Sequence, residues 1–203
     1  KLVDMAFELE NRILGIECGK LDPAACAASQ PLFLRWSREE GGRIGMHAHR
    51  ISTMSRFHFV VAAFERPRDT AHILKTLHQH HGSPLNNSDG DAVREAIAEF
   101  GSLAEAGAHA MQSGDIKGLG HSMNHAQTVY ETNLANRFSS TQAPRLIHTC
   151  QVMRDRGALG AKFSGAGGDG SVVALFESEN SARATAIEMD QIGLQSWYCP
   201  AGP

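Results

Sequence analysis

Apolar residues in the middle of the chain recur every three or four positions. Val93, Ile97, Phe100, Ala104, Ala108 and Met111 trace one stripe, and Ile116, Leu119, Met123, Ala126 and Tyr130 trace another after the break "SGD". That period is helical, so the pattern predicts two packed antiparallel helices, the first beginning at Asp91. A third helix is expected from Pro144, with Leu146, Cys150 and Met153 inward and a stop at Gly157. Shorter apolar runs read as strands: "PLFLRW" and "RIGMHAHRI" on either side of the turn "SREEGG", and "RFHFVVAAF", which leads through "ERPRD" into a helix over Thr70 to His81. "GSPLNNSDGD" reads as a polar loop. Near the C-terminus two strands flank a glycine-rich loop, a helix runs from Asn180 to Ile192, and "LQSWYC" closes as a strand.

The first residues behave differently. Leu2, Ala6, Leu9 and Ile13 sit at helical spacing from the second residue onward, with no initiating Met. The stretch reads as a chain entered inside a helix, and the expectation is a fragment of a longer protein. From residue 55 the order is strand, helices, strand, strand, helix, strand. This is an α+β arrangement: a ferredoxin-like split βαβ unit with helices inserted into its middle.

Composition narrows the possibilities. With 203 residues and 42% hydrophobic content, the chain can bury a sizeable core. A formal charge of −3 and no Lys/Arg stripe interleaved with aromatics argue against nucleic acid as a partner. The longest apolar run, "FVVAAF", is far short of a membrane span, so no membrane association is expected. Four scattered cysteines (Cys18, Cys26, Cys150, Cys199) form neither a disulfide framework nor a zinc motif, and fit a reducing cytoplasm. No feature sets an oligomeric state.

The stretch "GAKFSGAGGDGSVVAL" concentrates the chemistry. Glycine accepts positive φ and carries no Cβ, so successive backbone amides can converge on an anion such as phosphate. The same residues also suit a plain hairpin, with Asp169-Gly170 as a tight turn that needs no ligand. A carboxylate beside a phosphate weakens binding unless it points away, orients a neighbour or helps hold Mg²⁺. Neither GxGxxG nor GxxxxGK[ST] is present.

"GALGAKFSGAGGDGSVVAL" resembles the third signature of the GHMP small-molecule kinases (galactokinase, homoserine, mevalonate and phosphomevalonate kinases), GAK-x-[ST]-GAGGGG-x-x-x-AL. The preceding segment, from "GDIKGLGHSMNHAQ" to "RLIHTC", is similar to the helical stretch before that signature in mevalonate-kinase-like members. The resemblance implies that Ser164, Gly165, Ala166, Gly167, Gly168, Asp169 and Gly170 lie against nucleotide phosphates, with Asp169 standing where the family has Gly. It also implies a C-terminal domain over residues 53–203 and a remnant of the N-terminal domain over 1–52.

"CGKLD" is similar to the "CGIMD" segment of galactokinase-type members, whose Asp sits beside the attacking hydroxyl. This makes Asp22 the candidate catalytic residue and Gly19 and Asp22 candidates for substrate contact. Read without the family, Asp22 before Pro23 is a helix N-cap. The resemblance implies ATP and Mg²⁺ as cofactors and a small-molecule alcohol as substrate. "GIECGKLD" favours a monosaccharide phosphorylated at its anomeric hydroxyl, and the helical middle favours mevalonate or phosphomevalonate. The family's main ATP loop, Pro-x-x-x-Gly-Leu-[SG]-Ser-Ser-Ala, has no match in residues 1–21, so these residues alone are expected to be inactive. A non-catalytic anion-binding module and a structural domain with an empty hairpin are the rival readings.

The remaining features carry less. His121 and His125 are one helical turn apart, "HAH" places His47 and His49 on one strand face, and "HQHH" groups His78, His80 and His81. None has a Cys or carboxylate at ligand spacing, so solvated or core-edge histidines are expected. Lys162 belongs to a strand, Ser164 offers a hydroxyl to phosphate or to its own backbone, and Trp36 and Trp197 are expected at core or domain-edge positions.

Overall fold

Phe57–Ala63 (β3) is apolar at every position but His58, and it buries Phe57, Val60 and Ala62 while its other residues are partly buried. In the computed structural model, which describes residues 1–15, 19–28, 30–38, 41–42, 44–65 and 69–203, this strand lies inside a four-stranded sheet. In chain order the elements are α1 (Leu2–Glu8), α2 (Leu21–Ala27), β1 (Leu32–Arg38), β2 (Ile44–Arg50), β3, α3 (Thr70–His81) and α4 (Ser88–Ser113). There follow α5 (Ile116–Tyr130), α6 (Pro144–Asp155), β4 (Gly160–Ser164), β5 (Ser171–Phe176), α7 (Glu179–Gln191) and β6 (Gln195–Ala201). Single π-helical segments extend α1 over Leu9–Ile13 and α5 over Glu131–Ala135.

The sheet order is β4-β5-β3-β6, every neighbouring pair antiparallel. This is the split βαβ order expected from the sequence. Register divides the side chains cleanly. Val60, Ala62, Ala161, Phe163, Val172 and Ala174 share a core cluster with Leu146, Cys150 and Met153 of α6 and Ala182, Ala186 and Met189 of α7. Phe57 and Leu175 pack with Ala110 of α4 and Leu119 and Met123 of α5 in a second cluster, joined at its margin by Phe59 and Val173. The inserted helices therefore close the sheet face that α6 and α7 leave open.

Helix boundaries follow local capping. Asp69, Asn87, Asp115 and Ser178 each accept a backbone N–H from three residues on, at the starts of α3, α4, α5 and α7. Asn87 carries the first turn of α4 back to Ser88, so part of the polar stretch read as loop is helix. Gly114 ends α4 at φ 73°, the left-handed conformation that glycine adopts without penalty. β1 and β2 pair in a separate two-stranded sheet, from Leu32 opposite Arg50 to Arg38 opposite Ile44. An Arg35–Glu105 ion pair links this hairpin to α4.

Of the core or domain-edge positions expected for the two tryptophans, the core is corrected. Trp36 and Trp197 are 51% and 49% exposed, standing on β1 and β6 without being enclosed. Leu2, Leu9 and Ile13, which share the helical stripe at the N-terminus, are exposed as well. Among the described residues no helix is long and apolar enough to cross a membrane.

Candidate functional site

β4 and β5 pair down to Ser164 opposite Ser171, leaving residues 165–170 as a six-residue connection. The hairpin expected from the sequence is present, but its loop is wider than a two-residue Asp-Gly turn. Gly165, Gly167, Gly168 and Asp169 all have positive φ, between 47° and 83°. Such a succession suits glycine and, among other residues, the short polar side chains of Asp and Asn.

The loop is pinned from three sides. A Cβ on Gly167 would come within 2.5 Å of the Tyr130 ring and hydroxyl, and one on Gly168 within 2.5 Å of Ile73 Cδ1. Tyr130, the last residue of α5, is fully buried and stacks on Phe163 at 4.5 Å between centroids. Its hydroxyl donates to the Thr141 carbonyl at 2.6 Å and accepts the Gly168 N–H at 2.9 Å. Glycine is required at 167 and 168 because the backbone runs flush against side chains from α5 and α3.

Asp169 resolves the question of a carboxylate in this loop. Its Oδ1 accepts the N–H of Leu146 at 2.9 Å, the third residue of α6. Ala143, the residue at the cap position, supplies no side-chain acceptor, and Pro144 has no N–H. Asp169 thus caps α6 from 23 residues away, and its charge is drawn toward the positive end of that helix. The amides of Ala166 and Asp169 donate to no acceptor among the described residues. Beside the loop, the Ser140 hydroxyl oxygen is buried without a hydrogen-bond partner. Unspent amides in a left-handed loop and an orphaned buried hydroxyl are the features an anion's oxygens would satisfy.

The structure brings the seven loop residues, Ser164 to Gly170, together at one end of the β4–β5 hairpin. Gly19 and Asp22 lie in a different segment. Gly19 is exposed in the approach to α2, and Asp22 is exposed in the first turn of that helix. α2 packs against α1, and Lys20 pairs with Asp4 at 2.8 Å. The N-cap reading of Asp22 is corrected: the helix begins at Leu21 with Lys20 at the cap position, because Pro23 is accommodated within the first turn. Ile16, Glu17 and Cys18 of "GIECGKLD" lie outside the described residues.

Tyr130, Ser140, Thr141 and Ile73 were not singled out by sequence reasoning. A tyrosine on a buried helical stripe needs a hydroxyl partner, yet nothing in the local pattern names Gly168 as that partner. Among the described residues no three His, Cys, Asp or Glu side chains could hold a metal ion. His125 instead approaches Glu99 at 3.5 Å, and His80 packs on Phe138 at 4.6 Å.

Residues 108–191, which include α5, α6 and this loop, match the family model for the C-terminal part of GHMP kinases. This stretch is about two fifths of the chain, and over it the chain is similar to GHMP kinases. A mevalonate kinase of Aeropyrum pernix is 40% identical over 75 residues, 37% of this chain and 21% of that protein. The fold is similar to L. major mevalonate kinase in complex with R-mevalonate, with a TM-score of 0.70 and 22% identity over 93% of this chain and 55% of that one. Streptococcus pneumoniae phosphomevalonate kinase, in complex with phosphomevalonate and AMPPNP, gives a TM-score of 0.69 at 15% identity, covering 94% of this chain and 58% of that one. The chain spans little more than half the length of these solved structures.

Proposed function

We propose that this chain is the C-terminal part of an ATP-dependent kinase that phosphorylates a small-molecule alcohol, with mevalonate-type hydroxy acids as the first candidates. The observation that carries the reading is the glycine loop: a hairpin with unspent amides, held by Tyr130 and Asp169, inside the segment that matches the C-terminal part of GHMP kinases. The 40% match to a mevalonate kinase favours that acceptor over the monosaccharide suggested by "GIECGKLD".

When bound, ATP supplies the phosphoryl group and Mg²⁺ offsets its charge. The chain's part is positioning. The backbone of Ser164 to Gly170 would hold phosphate oxygens, and the Asp169 carboxylate, turned toward α6, would be kept from opposing them. In this reading Asp22 stands at the acceptor hydroxyl, orienting it and taking its proton, with Gly19 leaving room for the substrate. Positioning and electrostatics account for most of the rate in phosphoryl transfer, so a single well-placed carboxylate has a large effect.

The test is a coupled assay of Mg-ATP with mevalonate, phosphomevalonate and galactose, run on the protein extended to its natural start and on residues 1–203 alone. Turnover of mevalonate by the extended protein is expected. Turnover of galactose alone would move the acceptor to a monosaccharide, and silence on all three from a folded protein would leave an anion-binding module. Asp22→Ala in the active protein is expected to lower kcat by roughly 10²-fold or more with an unchanged unfolding transition; an unaltered kcat removes Asp22 from the chemistry.

A further inference from the structure

Lys162 sits on the edge strand β4 beside a cavity of about 410 Å³ that opens between α4, α5 and the sheet. Phe100 and Leu103 of α4, Leu119 and Met123 of α5, and Phe163 supply most of its wall. Among the described residues of the lining, Lys162 is the one that carries a charge and Ser122 the one with a hydroxyl, which donates to the Gly118 carbonyl at 3.1 Å. The ammonium donates to the carbonyl of Phe163 at 2.5 Å and lies 4.2 Å from the centre of that ring.

A buried ammonium is normally paired with a carboxylate. Among the described residues none forms a salt bridge with Lys162, and burial pushes its pKa down from 10.5 to about 8. The neighbouring titratable group is the Cys150 thiol, itself pushed up to about 12 by burial and therefore neutral. Of the three N–H donors on the ammonium, one is used by the Phe163 carbonyl, leaving two for an outside acceptor.

We propose that this cavity binds a small amphiphilic carboxylate, its head on the Lys162 ammonium and its hydrocarbon tail between α4 and α5. Two free donors match the two oxygens of a carboxylate. With no second cation among the described residues of the wall, a doubly charged phosphate would remain half compensated, so a monoanion fits better. The volume lies within the range of small-ligand pockets, and a mostly apolar lining with one fixed polar contact is the usual composition of such sites. The site is separate from the glycine loop and does not rest on the kinase reading.

Octanoate, with octanol as its uncharged counterpart and acetate as the head without the tail, tests this by titration calorimetry on the purified protein at pH 7. Octanoate is expected to bind at least tenfold more tightly than either control, and Lys162→Met is expected to abolish the preference over octanol. Equal binding of octanoate and octanol by the parent protein would overturn the role of the ammonium, and equal binding of acetate would overturn that of the cavity. No heat from octanoate at millimolar concentration would overturn the proposal altogether. The comparison among the three probes on the parent protein stands even without the variant.

Discussion

Asp169 combines two local demands that seldom coincide: a backbone φ of 47° and a side chain that must reach the N–H of Leu146. Aspartate meets both, since its short polar side chain tolerates the left-handed region and makes a good cap. Glycine would satisfy the backbone alone. Asp169→Ala is therefore expected to destabilise the protein by about 1–3 kcal/mol, combining a lost cap with left-handed strain. Asp169→Asn keeps both the acceptor and the backbone tolerance, and should stay within about 1 kcal/mol of the parent. Urea unfolding of the two variants checks this; an alanine variant as stable as the parent would mean the bond to α6 contributes nothing. The presence of a loop residue with a special role was legible in the sequence. That the role is to cap α6 was not, because the acceptor and donor are brought together only by folding.

At the scale of elements, β4 presents an unpaired edge, and α5 covers it with side chains. Asn124 donates to the Leu159 carbonyl at 2.9 Å and accepts the Ala161 N–H at 3.1 Å, while the Gln127 carbonyl oxygen accepts the Phe163 N–H at 2.7 Å. Close approach is possible because Gly120 and Gly160 face each other. A Cβ on Gly160 would meet the Gly120 carbonyl oxygen at 2.4 Å, and one on Gly120 would meet the Leu159 carbonyl oxygen at 2.8 Å. Protected in this way, the strand that leads into the glycine loop is held on both edges. Gln127→Leu keeps the bulk and removes the acceptor, leaving a buried N–H unpaired at a cost of about 1–3 kcal/mol. Hydrogen exchange at Phe163 should accelerate together with a lower urea midpoint, and unchanged protection there would show that the clamp is dispensable. The apolar stripe of α5 was readable from its period. The roles of its polar residues Asn124 and Gln127 were not, since a one-dimensional pattern does not show a strand edge arriving beside them.

Across the whole molecule, two sheet faces are covered by two pairs of helices, and a mostly buried lysine sits at the sheet edge. The pKa of Lys162 is lower in the folded chain, at about 8, than its ordinary value of 10.5. Between those values the unfolded chain binds more protons, so this residue makes stability rise with pH through that window. Below about 8 it opposes folding in full. Cys150, raised from 9.0 to about 12, acts in the opposite sense from pH 9 upward and is common to parent and variant. Lys162→Met is thus expected to be more stable than the parent at pH 7, with the difference narrowing from pH 8 to 10.5. Urea midpoints across that range measure it; a constant difference would mean the ammonium is fully solvated.

What the sequence determined by itself is the succession of elements and their inward faces. Helical and strand periods are carried by neighbouring residues, which is why α3, α5, α6 and β3 follow their stripes and the split βαβ order is recoverable. Caps such as Asn87 are local as well, although a polar run conceals where the helix begins. The tertiary structure decided the rest. The hydroxyl of Tyr130 holds Gly168, Asp169 caps a helix begun 25 residues earlier at Pro144, and Trp36 and Trp197 stand half in solvent. Each of these depends on which distant segment lies alongside, and burial or a hydrogen-bond partner is a property of that neighbour as much as of the residue itself.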